Sequence, residues 1–479
     1  MNKVKDFLSY NEKISLGKQK PSRRHNSKQT INFINLKHTL SKTKFSFTLL
    51  LAISTFISFP NSAGTEEAYV GPSLSKKASS KQMARLQDFE KPGIAKFLNN
   101  QNTTPSPIYP EIQLERVNLG INKNSEISLF NMPKFTTKVS DRFAGRTANN
   151  RVVLFSPDTA LQLQLENIIK SASAPHTAVV AMEPKTGRIL AVASKSTNIK
   201  DLALHAGFPA ASLFKIITSA AAIEWSDINE NSKVFFRGGN YTLNKYNYLP
   251  NSKLDNRSMT LGEALGKSCN PVFARVALNH LNSQLLETYA ENFGFNSLIP
   301  FDVKLPISSA TIPDSKYGLS RTAAGFGEVF ISPVHAAAMM SAISNNGLMP
   351  RPKFIDSIVS DSGQVIYNPP NAFIKRITQP GTSKQLLKLM HNTTTTGTSR
   401  KEFADNKKLT IPNIDVVGKT GTLRGKNPWG LNTWFIGAAP MQNPTIAIAV
   451  ISVDPKTRSA RASGIARQVL EKYFRTNKA

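Results

Sequence analysis

The chain has 479 residues, 60 Lys and Arg against 31 Asp and Glu, a net charge of +29 and a single cysteine. That length holds one large domain or two ordinary ones. A lone Cys269 excludes an internal disulfide and any multi-cysteine metal site, and seven histidines without an H-E-x-x-H pattern point to neither metal nor cofactor.

Residues 1–44 carry eleven Lys and Arg against Asp6 and Glu12, and Phe45–Phe59, FSFTLLLAISTFISF, is an uncharged apolar run behind them. A spanning helix takes about 20 apolar residues and the core of a signal peptide about 7–15. The run is read as a signal-anchor over 45–63, with cleavage near Asn61-Ser62-Ala63 as the alternative. The basic residues 1–44 then form a cytoplasmic tail, and everything after Gly64 lies outside the cytoplasm. A nucleic-acid arm is the competing explanation of the tail. The apolar run directly behind it disfavours that, and the remaining positive charge is spread along the chain, so no nucleic-acid partner is expected. Residues 64–149 are rich in Ser, Lys, Asn, Pro and Thr and read as a linker or stalk, with a strand or two near Glu126–Thr137.

The folded domain is expected over 150–479. Val152–Phe155 is strand-like, and Ser156-Pro157 is expected to cap a helix with Leu161, Leu165, Ile168 and Ile169 on one face. Thr177–Met182 and Arg188–Ala193 form a hairpin around Pro184-Lys185-Thr186-Gly187. Next comes Pro209–Trp225, PAASLFKIITSAAAIEW, whose helix is apolar on nearly every side and therefore belongs inside the domain. Ser212, Lys215 and Ser219 share one stripe of it. A buried lysine loses its proton readily, and a neutral lysine one turn from a serine hydroxyl is a general base beside a nucleophile. Ser212 is expected to open the helix, where free N–H groups favour a developing negative charge. The plainer alternative is a cap at Ser212 and a Lys215 that reaches the surface. S-x-x-K spacing also starts at Ser15, Ser41 and Ser73; only the copy at Ser212 has apolar surroundings.

After a polar and aromatic stretch, 226–258, a helical region runs from Met259 to about Ala290 and contains Ser268-Cys269-Asn270. Residues i and i+2 of an extended loop point the same way, so a hydroxyl and an amide face one cavity. Asn270-Pro271 is equally a sound helix start, and Cys269 reads as a small buried residue. Pro333–Ile343, opened by Ser332 and closed by Asn346-Gly347, is a further helix, with His335 packed rather than ligating. Asn413–Thr422, Thr433–Ala438 and Thr445–Val453 are spaced as an antiparallel meander, followed by a helix from about Ser459 to Phe474. Strands at both ends of the domain imply one sheet built from the two ends. The first strand of the meander carries Gly418-Lys419-Thr420-Gly421-Thr422. A cation with two hydroxyls suits a substrate carboxylate, and Gly421 admits a ligand backbone. A phosphate loop is excluded by Asn413 where glycine is needed and by a strand where a helix should start.

S-L-F-K at 212–215, S-C-N at 268–270 and G-K-T-G-T at 418–422 stand in the order used by the penicillin-recognising serine enzymes. FPAASLFKIITSAAAIE, ALGKSCNPVFARVA, GFGEVFISPVHAAAMMSAISNNG and NTWFIGAAP resemble a penicillin-binding protein transpeptidase domain, over roughly residues 150–479. The resemblance implies an α+β fold: a mainly antiparallel sheet flanked by helices beside an all-helical subdomain, with the serine between them. It implies that Lys215 activates Ser212, which attacks a D-Ala-D-Ala stem peptide of peptidoglycan and holds it as an ester. Ser268 relays the proton to the departing amine and Asn270 orients the stem. Lys419, Thr420 and Thr422 hold the terminal carboxylate, with Gly421 between them, and the backbone N–H groups of Ser212 and Thr422 form the oxyanion hole. β-Lactams are then covalent inhibitors, the membrane is met through one N-terminal segment, and other cell-wall synthesis proteins are expected partners. A D,D-carboxypeptidase, a serine β-lactamase and a non-catalytic β-lactam sensor or scaffold are the alternatives within the fold. The E-x-x-L-N of the common β-lactamase class is not found after Asn270, which disfavours rapid deacylation.

Overall fold

The computed structural model describes residues 151–476, apart from 361, 405–410, 412–413 and 457–460. Ahead of them it describes 133, 135–139, 141–146 and two paired strands, Gln113–Glu115 and Glu126–Ser128. The tail and signal-anchor expected at 1–44 and 45–63 lie outside the described residues. No helix among the described residues is long and apolar enough to cross a membrane.

Strands β1 (His176–Met182) and β2 (Ile189–Lys195) make the expected hairpin. Strands β3 (Val417–Lys426), β4 (Trp429–Ala439) and β5 (Ile446–Asp454) make the expected meander. They join as one antiparallel sheet in the order β3-β4-β5-β1-β2, β5 pairing with β1 from Ala447 opposite Met182 to Val453 opposite His176. Both faces of its central strands β4, β5 and β1 are buried, which is why β5 and β1 read as nearly continuous apolar runs.

Helices α1 (Thr159–Ser171), α4 (Pro333–Ser344) and α5 (Ala462–Thr476) pack on this sheet, while α2 (Phe214–Trp225) and α3 (Asn270–His280) pack on each other. Val179, Ala181, Ile446, Ile448 and Val450 face Leu161, Leu165 and Ile169 of α1 and Ile465, Val469 and Leu470 of α5. The alternate residues Ala178, Val180, Ala447, Ala449 and Ile451 turn to the opposite core, shared with α2 and α4. Alanine at 447 and 449 leaves room for α4, which is itself buried from Pro333 to Ile343. His335 packs there with Nε2 2.8 Å from the Phe293 carbonyl, and burial lowers its pKa to about 4.

A second five-stranded sheet runs Val365–Tyr367, Ile355–Val359, Val152–Asp158, Arg142–Arg146, Lys138–Val139. Its last two strands lie in the stretch read as linker, so pairing with Val152–Asp158 begins before residue 150. Ser156-Pro157 stays in that strand. The cap of α1 is Asp158, whose carboxylate accepts the Leu161 N–H at 2.7 Å. Lys185-Thr186-Gly187 is a turn, as expected, with the Gly187 N–H donated to the Glu183 carbonyl at 3.0 Å.

Candidate active site

Ser212 sits in a single 3-10 turn, Ala211–Leu213, immediately ahead of α2. It does not open the α-helix itself: Leu213 is the cap residue, and no side chain caps it. The turn is tight, with Ala211 at φ +51°, a left-handed conformation that a residue with a Cβ adopts only when its surroundings enforce it. Behind it lies Gly325, where an added Cβ would stand 2.3 Å from the Ala211 carbonyl oxygen and 2.8 Å from the Ser212 nitrogen. Gly325 itself has φ +91°.

Lys215 is fully buried on the first turn of α2. Its Nζ lies 2.8 Å from Ser212 Oγ and 2.8 Å from Asn270 Oδ1, and also bonds the Ala324 carbonyl. A neutral amine has two hydrogens and one lone pair. Asn270 Oδ1 and Ala324 O can only accept, so they take the hydrogens and leave the lone pair facing the serine hydroxyl. Burial and then the charge of Lys419 push the Lys215 pKa well below the usual lysine value, while Cys269 opposes them. The lowered pKa favours the neutral amine, and the hydrogen bonds would orient its lone pair to accept the hydroxyl's proton.

The second motif is brought to the same place. Ser268 is held at φ +55° and Cys269 caps α3, so the Asn270 side chain is left for the site rather than for the helix end. Asn270 accepts from Lys215 and donates through Nδ2 to the Tyr241 carbonyl at 2.7 Å. Cys269 is buried and its thiol pKa is raised by burial, which suits a packing residue. Ser219, also on the expected stripe, returns its hydroxyl to the Lys215 carbonyl at 2.8 Å and takes no part in the site.

The third motif lies on β3, the edge strand of the main sheet, whose outer side pairs with no strand of that sheet. Lys419 is fully buried and donates to Ser268 Oγ at 3.0 Å and to the Thr420 carbonyl at 2.8 Å. Burial lowers its pKa to about 7. Gly421 brings the strand against the serine turn: an added Cβ would meet the Ala210 carbonyl at 3.3 Å and Trp434 Cβ at 3.2 Å. Trp434 on β4 donates to the Pro209 carbonyl at 2.9 Å, tying the entry of the turn to the sheet. Thr422 is exposed, opposite Thr433.

Three contributors carry no sequence signal that picks them out. Ala324 and Tyr241 act through backbone carbonyls, which every residue has. Thr398 shares a 2.6 Å hydroxyl contact with Thr420 from just beyond the helix Pro380–Thr395, a stretch given no reading from the sequence.

Comparison with known proteins follows the geometry. The family described as penicillin binding protein transpeptidase domain matches residues 177–473. Peptidoglycan D,D-transpeptidase PbpA of Mycobacterium tuberculosis is 27% identical over 337 residues, 61% of this chain and 66% of the relative. Stage V sporulation protein D of Bacillus subtilis is 26% identical over 327 residues, 62% of this chain and 49% of the relative. This chain thus spans about half to two thirds of the length of those relatives. Among solved structures, the D,D-transpeptidase domain of a peptidoglycan glycosyltransferase from Eggerthella lenta superposes with a TM-score of 0.59 at 21% identity, covering 78% of this chain and 99% of that one. Penicillin-binding protein A from M. tuberculosis, solved as a penicillin G acyl-enzyme complex, gives 0.55 at 24% identity over 69% of this chain and 81% of that one.

Proposed function

Because the chain belongs to the penicillin-binding protein transpeptidase family, we propose that it is a peptidoglycan D,D-transpeptidase working through an acyl-enzyme on Ser212. The observation that carries this is the Lys215 amine, buried, 2.8 Å from Ser212 Oγ, with two pure acceptors facing its remaining hydrogens.

In this reading Lys215 takes the Ser212 proton as Oγ bonds to the carbonyl carbon between the last two D-Ala residues. The backbone N–H groups of Ser212 and Thr422 face the developing oxyanion, where losing one donor typically costs about 3–4 kcal/mol. The C–N bond breaks, D-alanine leaves with a proton passed through Ser268, and the stem remains as an ester. The proton that Ser268 gives up is replaced by the one Lys215 took from Ser212, so Lys215 is neutral again once the ester stands, while Lys419, bonded to Ser268 at 3.0 Å, keeps its own. Lys419, Thr420 and Thr422 hold the donor's terminal carboxylate while its backbone adds along the open edge of β3. An amine from a second stem then attacks the ester and completes a cross-link. The basic tail and apolar run at 1–63 would keep this domain at the outer face of the cytoplasmic membrane.

Purified protein incubated with a fluorescent penicillin should carry label on one tryptic peptide, the one containing Ser212, and hold it. Ser212→Ala should take no label while melting near the wild-type temperature, since its hydroxyl caps no helix. Label on another serine, or undiminished label on Ser212→Ala, would remove the assignment. A stem-peptide substrate supplied with an amine acceptor should then give cross-linked product; free acid alone would make it a carboxypeptidase.

A further inference from the structure

Asn270 works only one way round. With Oδ1 toward Lys215 it takes a hydrogen from the amine. Turned over, its Nδ2 would donate to the lone pair that Ser212 needs. What separates the two orientations is the Tyr241 carbonyl, which accepts from Nδ2 at 2.7 Å, beside the Asn240 carbonyl, which accepts from the Asn270 N–H at 2.7 Å. Both carbonyls belong to the 237–257 loop, which leaves a short ladder of Lys233–Phe236 against Arg257–Thr260.

Polar clamps hold this loop, together with Leu243 against the core and the Tyr248 ring against Tyr317. Tyr241 and Tyr246 within it are exposed. Asp255 stands between two arginines: Oδ1 is 2.8 Å from Arg237 Nη1 and 3.2 Å from Arg275 Nη2, and Oδ2 is 3.3 Å from Arg275 Nε. Its side chain is 5% exposed and that of Arg275 1%. Arg237 Nε donates to the Tyr246 carbonyl at 2.9 Å, and Arg275 also bonds the Tyr248 carbonyl. Arg257 closes the near side, donating to the Gly238 carbonyl at 2.6 Å and to Asn240 Oδ1 at 3.1 Å. Arg275 lies five residues beyond Asn270 on α3, so the carboxylate locks the loop to the helix that carries the amide. Burial works to raise the Asp255 pKa, but hydrogen bonds from the Asn251 N–H, Arg275 and Arg237 hold it below the usual carboxylate value, so the clamp stays ionised.

We propose that Asp255, gripped by Arg237 and Arg275, is a positioning residue: it fixes the 237–257 loop over the start of α3 and thereby sets which way round the Asn270 amide stands beside Lys215. The inference rests on the acyl-transfer reading of the site. No group of the clamp bonds Lys215. The charged and titratable groups facing that amine are Lys419 from β3 and Cys269 ahead of α3, with the Phe273 ring 5.6 Å away.

The test is single-turnover acylation of the full-length protein by a fluorescent penicillin across pH, in wild type and Asp255→Asn, with thermal melting as the check on folding. The expected outcome is a plateau rate about 100-fold lower, the scale of a small misplacement of a working group. The limb on which Lys215 gives up its proton should move to lower pH, because a turned amide sets the Nδ2 hydrogens against the amine in place of the Oδ1 acceptor that favours its charged form. Removing a negative charge through space alone would lower that limb too but keep the plateau, and removing the positive charge in Arg237→Gln would through space raise it. Arg237→Gln should reproduce the loss and Arg237→Lys recover part of it; if Asp255→Asn does not fold, this pair is read by the same criteria. A wild-type rate and limb, or a limb moved down with the plateau kept, overturns the proposal. Should the wild type take no penicillin, competitive labelling with acetic anhydride reads the Lys215 pKa without turnover. A Lys215 pKa lowered in both Asp255→Asn and Arg237→Gln would support the positioning role while the acyl-transfer reading alone fell; no shift, or opposite shifts in the two variants, would overturn the positioning role.

Discussion

Lys419 loses the hydration an ammonium needs, and burial brings its pKa down to about 7 from the 10.5 of a free lysine. Between those values the unfolded chain binds the proton and the folded chain does not, so stability rises with pH across that window, by up to about 1.4 kcal/mol per pH unit. Below about 7 both states hold the proton and the slope from this residue vanishes. Denaturant midpoints measured from about pH 7 to 9 should therefore climb for wild type and climb less steeply for Lys419→Met; parallel slopes would mean that another group titrates. The same buried amine couples substrate to protons. An anionic carboxylate favours the charged form, so affinity for a carboxylate-bearing donor should weaken as pH rises through about 7, with proton uptake on binding detectable by calorimetry in buffers of different ionisation enthalpy. At this scale the lysines were legible in the sequence, because a cation in an apolar run is costly unless used. Ser268 and Asn270 were much less so. Their roles depend on a left-handed φ at Ser268 and on a carbonyl in a distant loop, neither of which a three-letter pattern encodes.

The serine turn depends on a close crossing of two backbones. Ala211 and Gly325 are pressed together, and neither the turn nor the Ala323–Gly325 segment has room to withdraw: Ala324 is bonded to Lys215, and Thr218 on α2 donates to the Ala323 carbonyl at 3.0 Å. Gly325→Ala adds a methyl group into that crossing at φ +91°. It should cost about 1–3 kcal/mol of stability through strain, and acylation should fall about 100-fold as Ser212 shifts from Lys215. A Gly325→Ala protein labelled at the wild-type rate would show that the turn yields without harm. The meander, the hairpin and α4 were readable from periodicity, since long buried strands and an all-apolar helix leave strong patterns. The second sheet was not. Apart from its middle strand, read at Val152–Phe155, it is assembled from short strands, two of them in a polar stretch and two after residue 354, and pieces of two to five residues carry too little alternation to register.

The main sheet joins distant parts of the chain. β1 sits between β2, its hairpin neighbour, and β5, which begins at Ile446. The turn that carries Ser212 packs against β3, the edge strand that also supplies Lys419, and β5 is what ties that edge to the N-terminal hairpin. A chain ending at Gln442 keeps all three motifs in sequence but lacks β5 and α5. It should take no fluorescent penicillin, and β1, left with one partner, should be open to protease. Labelling of that truncated chain at any appreciable rate would show that the motifs assemble without the central strand.

That order of strands also sets a clock. A chain delivered N-terminus first presents the serine and its lysine long before β5 arrives to join β1, and pairings so far apart in sequence close slowly. Until the last strand is in place, Lys215 has neither its dry surroundings nor the neighbouring cation of β3, and it stays an ordinary charged lysine. On the proposed mechanism a half-made molecule would accordingly resist acylation. Reactivity appears only with completion, so the newly made protein and the finished one differ in their exposure to the drug.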